Sequence, residues 1–420
     1  MPAGDVGFAA NVEAGNQSYE LNPDPLALEY YYVGWRDQDG HGSRNHWGSS
    51  IEFRVPLLEK LELDTAARYD NYHFAGHDTG EFTYNFGLEF RPVESLLVRG
   101  YYGTGFRAPD LHYVFAGQGN VHDVGTDYYL CRVEEPDEDI DDCSYSDEGI
   151  VIPRNGNREL KSETSTSWGA GLVWSPGDNF TVSVDYFKVD LENQVLDLDT
   201  DKILRAEADC RLGETDQGTP VDGNSPTCLD AISRVERYSA DNPVTPDGLF
   251  GVRVNPVNIA NENTDGVDVA IRWKVPLGTA ALTFDGSWTK VFNHESQQFP
   301  GDDVVDQFDP ESTYVIPRSK ATAALTLDVG PFSSTLSARR LDRLANWDED
   351  ALIPASIWMN LSGAYKISDA ASVRLTIDNL ADKDPVKDPT YASYPYYDIS
   401  WFDSVGRSYF LEVNYSFGGK

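Results

Sequence analysis

The feature that most constrains this chain is a two-residue alternation of apolar and polar side chains that recurs from one end to the other. In FTYNFGLEF, residues Phe82, Tyr84, Phe86, Leu88 and Phe90 fall on one face of an extended strand, with Thr83, Asn85, Gly87 and Glu89 on the other. GVDVAIRWKV sets Val267, Val269, Ile271, Trp273 and Val275 against Asp268, Ala270, Arg272 and Lys274. SYFLEVNYSF does the same with Tyr409, Leu411, Val413, Tyr415 and Phe417 against Phe410, Glu412, Asn414 and Ser416. The pattern predicts about fourteen strands: near 6–14, 47–55, 61–72, 81–91, 96–107, 164–174, 180–192, 264–275, 280–291, 319–328, 332–342, 356–367, 372–380 and 407–417.

The connections alternate too. Short turns fall at VPLLEKLE, FRPVESLL, WSPGDNFT, VPLGTAAL, DVGPFSS and KISDAASV, while long polar segments occupy about 108–160, 195–260, 293–316 and 381–404. Strands of about ten residues, with short turns at one end and long loops at the other, fit an antiparallel transmembrane β-barrel. A soluble sandwich or propeller is the competing architecture. It would need one face in a dry core, yet this many long antiparallel strands leave too much polar-faced sheet, carrying Asp64, Arg68, Arg99, Asp185, Asp268, Arg272, Arg374 and Glu412, and it does not explain aromatic residues near strand ends. Residues 1–420 read as one unit, with no helical domain and no second domain.

Composition narrows the function. The net charge of −36 leaves nothing to neutralise phosphates, so nucleic acid is not an expected partner. No eighteen consecutive residues are apolar, so no transmembrane helix is expected, and a mean hydropathy of −0.44 does not bear on a barrel. The start, MPAGDVGFAANVEAG, does not read as a signal peptide. The four cysteines form two local pairs: Cys131 with Cys143 around RVEEPDEDIDD, and Cys210 with Cys228 around a Gly-, Thr-, Pro- and Asn-rich stretch. Loop-stapling disulfides, and so an oxidising compartment, are favoured over zinc, because close spacing and a nearby histidine are both missing.

Several stretches, in order, resemble TonB-dependent outer-membrane receptors. GYYGTGFRAPDL (with Gly105, Phe106, Arg107, Ala108 and Pro109) is similar to the family's strand-to-loop signature. SSIEFRVPLLEKLELDTAARYDNY resembles the hairpin before it, and GNRELKSETSTSWGAGLVWSPGDNFTVSVDYFKVDLENQV the hairpin after, with Arg158 where the family has proline. NENTDGVDVAIRW, LTIDNLADKDP and GRSYFLEVNYSF follow in turn. The last places Phe417 as the terminal aromatic that the barrel-assembly machinery reads, with Gly418, Gly419 and Lys420 trailing. The resemblance implies a barrel of twenty-two strands around an N-terminal plug. This chain would hold about fourteen of those strands, with the plug, the TonB box and the signal peptide absent.

It also implies an outer-membrane location and active uptake of a scarce solute such as a siderophore, a glycan or a peptide. Transport would be powered by TonB through a plug not present here, with lipopolysaccharide around the wall. The alternatives are a barrel with a structural or adhesive role, or a non-functional truncated fragment. No catalytic constellation stands out, and no cofactor or resident metal is expected. Haem is a variant solute, since His112 and His122 follow the Phe-Arg-Ala-Pro stretch. EEPDEDIDD and DLDTD (Asp197, Asp199, Asp201) invite calcium but lack the glycine and distal glutamate of an EF-hand loop. The aromatic clusters LEYYYVGW and YASYPYYDISWF supply candidate solute contacts: Tyr31, Trp35, Tyr394, Tyr396, Tyr397 and Trp401. A membrane-interface girdle is the competing role for them.

Overall fold

The computed structural model describes residues 3–32, 35–140, 142–297, 304–309, 316–346, 351–391 and 394–417. Its main sheet has fifteen strands, all paired antiparallel. Fourteen follow one another in chain order: β1 (Gly7–Leu21), β2 (Gly40–Leu58), β3 (Leu61–Phe74), β4 (His77–Val93), β5 (Leu96–Arg107), β6 (Glu163–Gly177) and β7 (Phe180–Asp197), then β8 (Pro256–Leu277), β9 (Ala280–Gln297), β10 (Ser319–Val329), β11 (Phe332–Leu341), β12 (Ser356–Lys366), β13 (Ala371–Asp378) and β14 (Ser408–Tyr415). The remaining strand, Val305–Asp306, pairs with the outer end of β9. Each strand expected from the alternation is present. The path is open, since no ladder joins β14 to β1 among the described residues. The expected barrel is therefore seen as an arc of barrel wall.

Strand register assigns the two faces. Phe53, Thr65, Phe86 and Tyr102 lie side by side across β2 to β5, and Asp64 lies beside Arg54 and Gly87 on the opposite face. Phe82, Phe86 and Phe90 are 60%, 48% and 42% exposed, with no second sheet or helix laid over them among the described residues. Such a row is stable against lipid and costly in water. The opposite face is ionic. Arg54 meets Glu62 at 2.5 Å, Arg68 meets both Glu13 and Asp70 at 2.5 Å, and Arg99 grips both oxygens of Asp185 at 2.8 Å. That last pair crosses an intervening strand, and only a glycine fits below it: a Cβ on Gly171 would stand 2.0 Å from the Asp185 carboxylate.

The six expected short turns close one end of the sheet; Gly278 and Gly330 reach left-handed φ values of +67° and +56° in two of them. At the other end the strands outrun their predicted limits. β2 begins at Gly40 rather than near 47, and β8 at Pro256 rather than near 264. The added residues, such as GHGSRN, lack apolar alternation because a strand that has left the bilayer has no lipid face to cover.

Short helices and strands occupy this outer end, in segments that the sequence reads as long polar loops. The segments between β5 and β6 and between β7 and β8 fold together into a cap. Its sheet runs Val235–Arg237, Leu249–Val252, Glu148–Arg154, Gly119–Gly125, Trp35–Arg36. Four helices accompany these segments: α1 (Leu111–Phe115), α2 (Tyr128–Glu134), α3 (Thr200–Leu212) and α4 (Pro226–Arg234). Ile150, Leu204, Ala208 and Val252 are among the most buried residues of the cap's own apolar core. Both disulfides lie in the cap, pairing Cys131 with Cys143 and Cys210 with Cys228 as expected. The expected loop 293–316 lies partly outside the described residues, at 298–303 and 310–315.

Candidate functional site

The family-like signature sits where the cap is rooted in the wall. β5 ends at Arg107, whose guanidinium grips both carboxylate oxygens of Glu163, the first residue of β6. Glu163 Oε1 also accepts the Val195 N–H at 2.7 Å, from the outer end of β7. One carboxylate thus joins three of the strand ends from which the cap leaves the wall. Glu163 is only 3% exposed and Arg107 is 71% exposed, so the buried charge is neutralised by a cation reaching in from the water.

The neighbours of Arg107 have separate tasks. Gly105 allows close packing, because a Cβ there would stand 2.8 Å from Ser165 Oγ. Phe106 meets Tyr72 with ring centroids 6.0 Å apart. Ala108 is half-buried and Pro109 buried, and the Pro109 carbonyl accepts from Arg44 at 2.7 Å. Proline there donates nothing to a ladder, so the strand stops. Asp110 then caps α1 by accepting the His112 N–H at 2.7 Å.

The GNRELKSE stretch ties the same root from the other side. Asn258 of β8 bonds the Lys161 main chain twice, at 2.8 Å each, and the Asn193 carbonyl at 2.9 Å. Leu160 packs with Phe74, Val114 and Val195 in a small core under the cap. Arg158, in place of proline, lays its guanidinium over Phe115 at 5.9 Å. Glu163, Asn258 and Arg44 were not singled out from the sequence. The Glu163 signal was available in the position of a lone carboxylate opening an otherwise hydroxyl-rich strand.

Within the cap the ionic centre is Arg237. It donates to both oxygens of Asp127, at 2.7 and 2.9 Å, and to both of Glu207, at 2.8 Å each, so an edge strand is bound to α2's cap residue and to α3. Arg132 links α2 to Asp209 of α3 at 2.5 Å. The three aspartates considered for calcium are engaged: Asp197 with Arg154, Asp199 as the N-cap of α3 accepting from Lys202 at 2.9 Å, and Asp201 with Tyr128 and Arg205. Tyr128 is held well above the ordinary tyrosine pKa, by burial first and by the Asp201 bond second.

The aromatic candidates divide. Tyr394, 84% exposed, and Tyr396 form an exposed edge-to-face pair with centroids 6.2 Å apart. Tyr397 is buried with Phe402, Leu341, Leu344 and Ile353, so its ring packs the connection instead of facing solute. Trp401 is half-buried beside that cluster, with Lys320 Nζ 5.3 Å from its ring. Tyr31 is exposed against Tyr32, on the β1–β2 connection, at the far end of the strand order from Tyr394. The main chain of Trp35 forms a cap strand, and its side chain lies outside the described residues. His112 is exposed, with Nδ1 2.8 Å from the Tyr19 hydroxyl, while His122 lies on the cap strand Gly119–Gly125. Phe417 is exposed just past β14 against Tyr415; Gly418, Gly419 and Lys420 lie outside the described residues. On the inner face, a concavity of about 900 Å³ is lined by Arg272, Asp285, Arg339, Trp358 and Asn360.

Comparison with known proteins places this arrangement. The family profile "TonB dependent receptor-like, beta-barrel" matches residues 3–380. The chain is 23% identical over 402 residues to the iron-regulated outer membrane virulence protein of Vibrio cholerae, covering 90% of this chain and 45% of that protein. The chain therefore spans about half the length of the curated relatives it matches. Among solved structures, a ferric enterobactin receptor (PfeA) from Pseudomonas aeruginosa aligns with a TM-score of 0.57 at 13% identity, over 98% of this chain and 54% of that one. The siderophore receptor PirA from Acinetobacter baumannii aligns with a TM-score of 0.58 at 13% identity, over 98% and 55%. By name these relatives are receptors and outer-membrane proteins, not enzymes. With a match that runs from residue 3 to residue 380, the chain belongs to the TonB-dependent receptor β-barrel family and forms part of an outer-membrane barrel.

Proposed function

We propose that this chain supplies wall and outer cap to a transporter that captures an iron-bearing, siderophore-type solute and passes it inward on energy delivered through TonB. The observation that carries the reading is sidedness. One face is apolar and the other ionic, as a lipid side and a water side require, and a stapled cap crowns the end where the long connections gather, with Tyr394 and Tyr396 exposed on the β13–β14 connection. The remaining strands, a plug and a TonB contact would come from the rest of a protein about twice this length. Lipopolysaccharide would surround the wall, and Phe417 would serve the assembly machinery.

Charge refines the solute class. Acidic residues outnumber basic ones in each of the four long outer segments. That field repels polyanions and admits neutral or cationic chelates. Uptake of radiolabelled ferric chelates should therefore fall to background when the full-length gene is deleted or when TonB is removed, with neutral hydroxamate-type chelates losing most. Unchanged uptake of every iron chelate in the deletion strain would overturn the reading. Loss of surface attachment alone would favour an adhesive barrel.

A further inference from the structure

Between β4 and β5 the wall comes apart. Their ladder climbs from Val93 and Leu96 to Asn85 and Gly103 and stops. β4 continues to His77, paired only with β3, and β5 continues to Arg107, paired only with β6. The facing edges, 78–84 and 104–107, have no ladder between them. The Tyr84 N–H, donating to Thr104 Oγ1 at 3.1 Å, closes the gap below, and a 3.3 Å contact between the Thr79 and Ser162 hydroxyls closes it above.

Between those closures is a cavity of about 180 Å³. Its lining includes Glu81, Thr83 and Ser165 from the ionic face and Phe82, Thr104 and Glu192 from the lipid-side face. Neither carboxylate has a protein partner among the described residues. Edge amides and carbonyls that a neighbouring strand would normally satisfy also face the gap. Phe82 stands about one bilayer span of strand above Val93, which puts the opening at the outer headgroup level.

This inventory selects its occupant. Carboxylate oxygens, Glu81 from the ionic face and Glu192 from the lipid-side face, accept from hydroxyls on either side of a ring, threonine and serine hydroxyls both donate and accept, and a phenyl face covers an axial C–H surface. The volume is that of one six-membered sugar ring. A polyanion is repelled by Glu81 and Glu192, and an acyl chain would leave every polar group in the lining unmatched. We propose that the window between β4 and β5 binds a single pyranose unit, either a free saccharide or a sugar of the surrounding outer-leaflet lipid. The site stands apart from the transport reading and survives or fails without it.

The test uses the full-length receptor in nanodiscs, titrated with glucose, galactose or N-acetylglucosamine, each alone, and followed by saturation-transfer NMR. At least one sugar should show saturable binding that weakens tenfold or more in the Glu81→Ala/Glu192→Ala variant. Phe82→Ala and Thr104→Val should each weaken it severalfold, and they decide the matter if the double variant does not fold. Competition by added lipopolysaccharide would identify the membrane as the source of the sugar; no competition would identify a free solute. Absence of saturable binding by all three sugars, or equal binding by the folded variants, would overturn the proposal.

Discussion

Wall and cap are built from one chain for two solvents. The wall exposes its large apolar side chains and turns Arg54, Arg68 and Arg99 inward to Glu62, Glu13 and Asp185, carboxylates that water can reach. The cap reverses that arrangement. It buries Ile150, Leu204 and Val252, and it sinks Arg237 between Asp127 and Glu207. In the wall, stability comes from continuous ladders and the match to lipid. In the cap, short strands and helices depend on an apolar core, two disulfides and one buried cation. The difference teaches that the outer segments carry an apolar core of their own, as a small globular layer set on a membrane sheet.

If the two layers are independent, the largest effect will come from the cap alone. Arg237→Ala leaves Asp127 buried without a counterion and Glu207 with Arg211 alone, and should cost about 3–5 kcal/mol. Replacing both cysteines of either disulfide by serine should cost about 2–5 kcal/mol. Hydrogen exchange should then show amides of α3 and of Glu148–Arg154 losing protection while those of β8 and β9 keep theirs. Loss of protection in both layers together would show that they form one cooperative unit.

The next effect belongs to the wall. Phe86→Arg puts a cation on the lipid face near mid-bilayer and should cost about 2–4 kcal/mol. Asn85→Arg, one residue away on the wet face, should change stability by about 0.5 kcal/mol or less. Denaturant titration of the receptor folded into vesicles measures both, and equal costs would refute the assignment of faces.

The smallest effect is a pH dependence where the wall emerges from the membrane. Glu262 lies 2.6 Å from His294 Nε2, and that hydrogen bond holds its carboxyl below the ordinary glutamate pKa against the opposing effect of burial. A depressed carboxyl contributes its stability above the unfolded pKa and loses it as pH falls through the folded one. Exchange protection at the outer ends of β8 and β9 should therefore drop on acidification below the usual glutamate range, and the drop should vanish in Glu262→Gln. A drop that persists in Glu262→Gln would assign it to another group.

The comparison also explains what was legible beforehand. All fourteen wall strands could be read, because a strand between lipid and water must alternate residue by residue. The outer limits of β2 and β8 could not, because strand above the membrane is free of that demand. The cap was hidden for a different reason. Its helices are short and its strands pair across distant segments, so no single window carries a long period. Local signals were present all the same. Asp199 and Gly213 bracket α3 as N-cap and left-handed C-cap, and Ser225-Pro226 opens α4. Cysteine spacing pointed to the staples but not to the core they protect. Of the candidate contacts, Tyr397 shows the limit: aromatic clustering is visible in the sequence, and which ring turns inward is not.

The cysteine partners are separated by only 12 and 18 positions, and neither bond joins one excursion to the other. Each crown segment can thus be oxidised while its flanking hairpin is still unpaired, before any neighbouring hairpin has arrived. The links between the two segments, through Arg132 and Arg237, are all reversible contacts. A polypeptide handed to the outer membrane in this form would carry its permanent bonds ready-made, with only side-by-side docking left to complete at the cell surface.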